Sequence, residues 1–164
     1  MKLDYKENYQ KLLKESQEFV NYWLGIIQRR MCLKLTPVDS ENLQKAVLCD
    51  TQEGFEFKYD RKFKETGNFW IEIEEKRDPS QEKYVLSGIL REDNAWMYCI
   101  GNYDELFFLP KRTLISLYNS GKVKTMDNNE KTSRGFLINK LTAIMHSVAE
   151  LTCLDKTEEF LRCG

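Results

Sequence analysis

Two alternating runs, Phe55-Glu-Phe-Lys-Tyr-Asp60 and Phe69-Trp-Ile-Glu-Ile-Glu-Glu-Lys76, constrain the fold more than any other part of this chain. Side chains on a strand alternate faces with period two, so each run reads as a strand with one apolar and one charged face. Phe55, Phe57, Tyr59, Phe69, Ile71 and Ile73 take one side, whereas Glu56, Lys58, Asp60, Glu72, Glu74 and Lys76 take the other. A slip of one residue would bury the charges, so the register is well specified. Pairing the two runs as a hairpin, with Lys58 opposite Glu72, keeps the apolar residues together and sets Glu56 opposite Glu74. The first pair is favourable. The second juxtaposes like charges and is destabilising unless something positive sits between them.

The rest of the chain supplies elements to pack against these strands. Residues 5 to about 31 carry Tyr9, Leu12, Leu13, Ser16, Val20, Trp23, Leu24 and Ile27 at helical spacing, which predicts a long amphipathic helix over one face of a sheet. Pro37 stops regular structure, and Asp39 and Ser40 offer caps for a short helical turn through Leu43. Ala46 to Asp50 reads as a short buried strand, followed by a tight turn at Gly54. The loop 61–67 is polar and ends in the turn signal Thr66-Gly67-Asn68, and Arg77 to Lys83 is a charged, exposed loop. Trp96 to Ile100 and Glu105 to Leu109 read as strands joined by a turn at Gly101-Asn102. Pro110 is placed to start a helix through about Asn119. Residues 120–134 read as loop, and Phe136 to Leu151 as a helix preceded by a short extended piece. This order predicts an α+β fold with a mixed sheet flanked by helices, one domain over residues 1–164 with a tail from about 120.

Charge and cysteine usage bound the function classes. Among 164 residues, 25 basic side chains face 26 acidic ones, so there is no basic excess to drive strong non-specific nucleic-acid binding, and any such contact is local. The five cysteines are odd in number and lack C-x-x-C spacing, which points away from a disulfide framework or zinc cage and towards a reducing, cytoplasmic setting. The charged N-terminus is unlike a signal peptide, and no apolar run approaches the ~20 residues needed to span a bilayer, so a soluble protein with no membrane partner is expected.

The charged face carries the chemistry. Asp50 precedes the first run, and the turn 51–54 can return the chain so that Asp50 reaches the patch of Glu56 and Lys58. Hard cations such as Mg²⁺ take one or two carboxylates, with water and substrate phosphate filling the other positions. Phosphodiester hydrolysis uses carboxylates to hold a metal, a metal-bound water as nucleophile, and a lysine to orient that water or neutralise developing charge. Asp50, Glu56, Lys58 and Glu72 are thus the candidate catalytic residues, and Asp50, Glu56, Asp60, Glu72 and Glu74 the candidate metal ligands.

At these residues the chain resembles the PD-(D/E)XK, or restriction-endonuclease-like, nuclease superfamily, and within it small phage and bacterial proteins. The matches are Asp50, Glu56-Phe-Lys58-Tyr-Asp60, Thr66-Gly67-Asn68-Phe-Trp-Ile-Glu72 and Ser87-Gly88-Ile89 ahead of the Ala95 strand, over roughly residues 44 to 110. The resemblance implies an αβββαβ-like core, Mg²⁺ or Mn²⁺ as cofactor and DNA as substrate. Two alignments stay open. In one, Asp50 is the lone acid and Glu56-x-Lys58 the paired motif, with Glu72 as an added ligand. In the other, Asp60 is the lone acid and Glu72-x-Glu74 the pair. The first keeps the lysine and is preferred. The near-neutral charge argues for a modest non-specific affinity, and thus for a homodimer, a structure-specific substrate or a partner protein supplying part of the DNA grip.

Plainer readings stand beside these. Alternating charges are common on solvated strands, whose exposed ion pairs are worth ~0 to 1 kcal/mol each. A fold of this kind can also lose its chemistry and act only as a nucleic-acid- or protein-binding module, because function belongs to the site. His146, the one histidine, reads as a packed or surface helix residue, and Cys49 as a buried apolar one. Trp70 falls on the polar face by parity, where it either stacks a base or covers the sheet. Arg61 and Lys62, with Lys64, follow the proposed site directly and are placed to touch a phosphate backbone.

Overall fold

Two four-stranded sheets and one long helix organise the chain, which a computed structural model describes over residues 5–38, 49–76 and 80–153. Helix α1 (Tyr5–Met31) is followed by β1 (Phe55–Tyr59), the short helix α2 (Phe63–Thr66) and β2 (Asn68–Glu75). Then come β3 (Val85–Leu86), a 3₁₀ turn (Gly88–Leu90), β4 (Met97–Gly101), β5 (Glu105–Pro110) and α3 (Lys111–Asn119). The described chain ends with β6 (Thr125–Asp127), β7 (Ser133–Asn139), α4 (Lys140–His146) and β8 (Ala149–Thr152). The first sheet runs β1-β4-β5-β8 and the second β3-β2-β7-β6. This is an α+β architecture, and the first sheet is mixed, with β1 parallel to β4 and the other pairs antiparallel. The helical turn expected at 39–43 and most of the strand expected at 46–50 lie outside the described residues, as does the chain beyond 153. No described helix is long and apolar enough to cross a membrane.

Helix α1 lies on one face of the first sheet, as its apolar spacing predicts. Phe19, Val20, Trp23, Ile26 and Ile27 are buried against Phe55, Phe57, Met97, Cys99, Leu106 and Phe108. Each such large side chain contributes about 1.5–3 kcal/mol on burial. The buried stripe is displaced towards the C-terminal half of the helix, for Leu12 and Leu13 are exposed. Between the two sheets a second core gathers Phe69, Ile71, Ile73, Tyr98, Ile100, Phe107, Leu109, Phe136 and Ile138, closed by Leu114 of α3 and Ala143 of α4.

The hairpin between the two alternating runs does not form. β1 pairs in parallel with β4, Glu56 opposite Tyr98 and Lys58 opposite Ile100, while β2 pairs with β3 and β7 in the other sheet. The reason is that the apolar faces serve different cores, Phe55 and Phe57 under α1 and Phe69, Ile71 and Ile73 between the sheets. The connection expected as polar loop holds Phe63, which is buried and stacks on Phe69 with ring centroids 3.8 Å apart. That anchor and the left-handed Gly67 (φ +65°) turn the chain into the second sheet. Lys58 and Glu72 are therefore not a cross-strand pair, and Glu56 and Glu74 are not opposed.

The C-terminal third also differs from expectation. The helix predicted over 136–151 is only α4, flanked by β7 and β8, and β6 lies in the stretch expected as loop. Ser133 to Asn139 alternates, with Phe136 and Ile138 buried and Leu137 exposed, which is strand periodicity. Asn139 then caps α4 by accepting from the Thr142 amide at 2.8 Å. Helix α3 begins directly after Pro110.

Candidate active site

β1 is an edge strand, and its charged face is the one it shares with Tyr98 and Ile100, turned towards the second sheet. The segment before it fixes Asp50 beside that face. Thr51 bridges to Pro37, its hydroxyl accepts from the Phe55 amide at 3.0 Å, and Gly54 turns the chain at φ +86°. A Cβ at Gly54 would run into the Asn94 carbonyl and the Trp96 ring, so the turn requires glycine. The result is that Asp50 Oδ2 accepts from the Phe57 amide at 2.7 Å, on the unpaired edge of β1. Asp50 thereby joins Glu56 and Lys58, three of the four residues of the preferred alignment; the fourth, Glu72, is held by Ser87 and Ser133.

Around Glu56 the charges form a partly buried network. Glu56 is 6% exposed, and its Oε1 takes Lys58 Nζ at 2.6 Å and Arg91 Nη2 at 3.7 Å. Arg91 Nε donates to Asp93 Oδ2 at 2.9 Å, and Lys111 Nζ donates to Asp93 Oδ1 at 2.7 Å and to the Arg91 carbonyl at 2.7 Å. The Asp93 side chain is fully buried and also receives the Ala95 amide at 3.0 Å. The carboxylates of Asp50, Glu56 and Asp93 are thus balanced by Lys58, Arg91 and Lys111, as burial demands.

The balance is uneven at Asp50. Burial first, and the neighbouring Glu56 carboxylate second, push its pKa up to about 7, against the Phe57 amide, Lys58 and Arg91, which act to lower it. Burial acts to discharge Lys58, yet the Glu56 charge and hydrogen bond, with Asp50 beyond, hold its ammonium above the usual lysine range. Tyr98 is 2% exposed, and its hydroxyl is the buried side-chain polar atom that has no hydrogen-bond partner among the described residues. Burial raises its pKa. Burial likewise pushes the Cys49 thiol up, and its Sγ donates to the Thr51 carbonyl at 2.9 Å, the behaviour of an inert thiol.

The other expected site residues are engaged elsewhere. Asp60 accepts from the Lys62 amide at 3.0 Å and from the Trp70 amide at 3.0 Å, tying the end of β1 to β2. Glu72 accepts from Ser87 Oγ at 2.7 Å and Ser133 Oγ at 2.5 Å. Glu74 pairs with Arg134 at 3.1 Å, beyond a register shift that separates it from Glu72. Glu72 nevertheless lines, with Lys58, Tyr98 and Gly88, a recess of about 110 Å³ between the sheets.

Among the described residues, no group of three or more His, Cys, Asp or Glu side chains converges to hold a metal. Asp50 and Glu56 offer two mutually repelling carboxylates, a donor set that suits Mg²⁺ or Mn²⁺ when water and substrate supply the remaining positions. It does not suit an all-protein cage.

Sequence reasoning missed Arg91, Asp93, Lys111 and Tyr98. Tyr98 faces Glu56 only because β4 pairs with β1, and Arg91, Asp93 and Lys111 come together around the end of β4, where Lys111 Nζ reaches Arg91 and Asp93 from the first turn of α3. Trp96 to Ile100 reads as a strand, but no local signal names the strand that Tyr98 would meet. Comparison with protein-family models, with curated proteins and with solved structures returned no match.

Proposed function

We propose that the protein is a metal-dependent nuclease acting on DNA, with a site of the restriction-endonuclease-like kind. The observation that carries this is that Asp50, held on the unpaired edge of β1 by the Phe57 amide, lies beside Glu56 and Lys58 of the strand's charged face. Asp50 and Glu56 would hold Mg²⁺ or Mn²⁺, which when bound lowers the pKa of water and offsets charge on the phosphoryl oxygens. Lys58, held fully charged and 42% exposed, is the group that can leave Glu56 to orient the attacking water or meet developing negative charge. Arg91 lies 3.7 Å from the same Glu56 oxygen that Lys58 holds, and Asp93 with Lys111 fixes the Arg91 guanidinium. The nearly neutral chain, at net charge −1, suits a homodimer or partner protein sharing the DNA grip.

Purified protein with Mg²⁺ or Mn²⁺ should nick or cut DNA and stop on addition of EDTA. Lys58→Ala and Glu56→Gln should each lower the rate by about 10²–10³-fold with thermal unfolding still cooperative. Equal cleavage by both variants sinks the assignment. One observation favours a second reading, a binding module of the same fold without chemistry: Glu56 Oε1 is already engaged by Lys58 and Arg91. Calorimetry distinguishes the two, since a binding module would give no divalent-ion heat dependent on Asp50 and Glu56.

A further inference from the structure

A groove of about 480 Å³ opens beside Lys58 and is lined by Leu12, Tyr59, Arg61, Lys62 and Trp70 as well. Lys58, Trp70 and Ile100 also line the recess bordered by Glu72 and Tyr98, so the groove adjoins the candidate active site at Lys58. Its aromatic wall is held in place. The Trp70 amide donates to Asp60, and indole Nε1 donates to Ser133 Oγ at 3.4 Å. The ring lies against Gly135 of β7, where a Cβ would come within 2.8 Å of the six-membered ring. Glycine lets the indole settle on the strand there, and Trp70 remains half-buried and borders the groove.

The groove is cationic as well as aromatic. Arg61 and Lys62 are exposed, and Arg61 pairs with Glu15 of α1 while its guanidinium lies 5.7 Å from the centroid of the Tyr59 ring. Asp60, the acidic side chain in the lining, is committed to two backbone amides. An aromatic face among phosphate-sized cations is the combination that holds single-stranded nucleic acid, because stacking needs a base with a free face. A base inside a duplex has none. The volume falls in the range of about 300–1,000 Å³ typical of small-ligand sites, enough for a nucleotide rather than a double helix.

We propose that this groove takes one unstacked nucleotide of single-stranded DNA, its base against Trp70 and its phosphate towards Lys58, Arg61 and Lys62. The proposal rests on the nuclease reading for its substrate class, but the binding needs no catalysis. It implies that the protein acts on single strands or on duplexes with frayed or branched ends. Fluorescein-labelled DNA and the full chain, mixed in EDTA and followed by anisotropy, test it. A single strand should bind about tenfold or more tightly than a blunt duplex of the same length, and Trp70→Ala should cost about tenfold while Trp70→Phe keeps most of the affinity. Plotted against log salt, log affinity should fall with a slope near about −2, and Lys62→Ala should reduce it by about 0.7. That exposed substitution decides the matter if Trp70→Ala fails to fold. Equal binding of blunt duplex, wild-type affinity in folded Trp70→Ala, or an unchanged slope in Lys62→Ala overturns the proposal, and tighter binding of an RNA strand overturns the choice of DNA. Binding without cleavage in Mg²⁺ would remove the nuclease reading alone, and cleavage with binding indifferent to Trp70 would remove the groove alone.

Discussion

Replacing Asp50 by Asn should stabilise the protein at pH 8 and leave it nearly unchanged at pH 4. The side chain is largely buried, accepts from the Phe57 amide, and has its pKa raised from 3.8 to about 7 by burial and by Glu56. Below about pH 4 both folded and unfolded chains carry the proton, so the site is neutral in each. Between about pH 4 and 7 the folded state keeps a proton that the unfolded state has lost, so stability falls as pH rises through this window and is level above it. The shift corresponds to a ceiling of about 4 kcal/mol at 25 °C. That shift already includes the Phe57 amide, Lys58 and Arg91; Asn keeps an oxygen for the Phe57 amide, but its NH₂ group needs a partner in a largely buried place, which takes back part of the gain. A gain of about 2 kcal/mol at pH 8 is therefore expected, or about 4–8 °C in melting temperature for a chain of this size. Urea denaturation in EDTA at pH 4, 6 and 8 measures it. Wild type should lose stability across the series relative to the variant, and Mg²⁺ at pH 8 should raise the wild-type midpoint but not that of Asp50→Asn. Equal destabilisation of the variant at all three pH values would refute the reasoning, for Asp50 would then be only a cap on the β1 edge.

Two stability predictions concern the far side of the recess. Gly88→Ala should destabilise by about 3 kcal/mol or more, since Gly88 sits at φ +50° and a Cβ would overlap the Glu72 carbonyl; a chemical denaturation midpoint near wild type would contradict this. Ser133→Ala removes the hydroxyl that joins Glu72 to the Trp70 indole and should cost about 1–3 kcal/mol, with a loss below about 0.5 kcal/mol meaning that water replaces it without penalty.

The local elements were largely legible in the residues. The 27-residue helix Tyr5–Met31, both alternating strands, the strands flanking Gly101 and the helix after Pro110 follow from periodicity and punctuation. Asp50, Glu56 and Lys58 were legible too, because a tight turn and period-two alternation fix their relation over a short stretch of chain. Glu72 and Glu74 were drawn to the same patch by the assumed hairpin and Asp60 by its place on the charged face of the first run, and each has another partner. The run from Ser133 to Thr152 was misassigned because its short strands, separated by one brief helix, give no window long enough for either period to dominate.

By itself the sequence determined which faces of β1 and β2 are apolar and which are charged, since side-chain alternation is a property of the backbone alone. Which strand each face meets was decided by tertiary packing. Phe55 and Phe57 gain most under α1, while Phe63 stacking on Phe69 draws β2 into the other sheet. Parallel pairing of β1 with β4 then brings Tyr98 onto the face of Glu56, and Arg91, Asp93 and Lys111 close round it. Those groups lie far from Glu56 along the chain, and only the burial of two separate cores brings Arg91 to its carboxylate, with Asp93 and Lys111 behind Arg91.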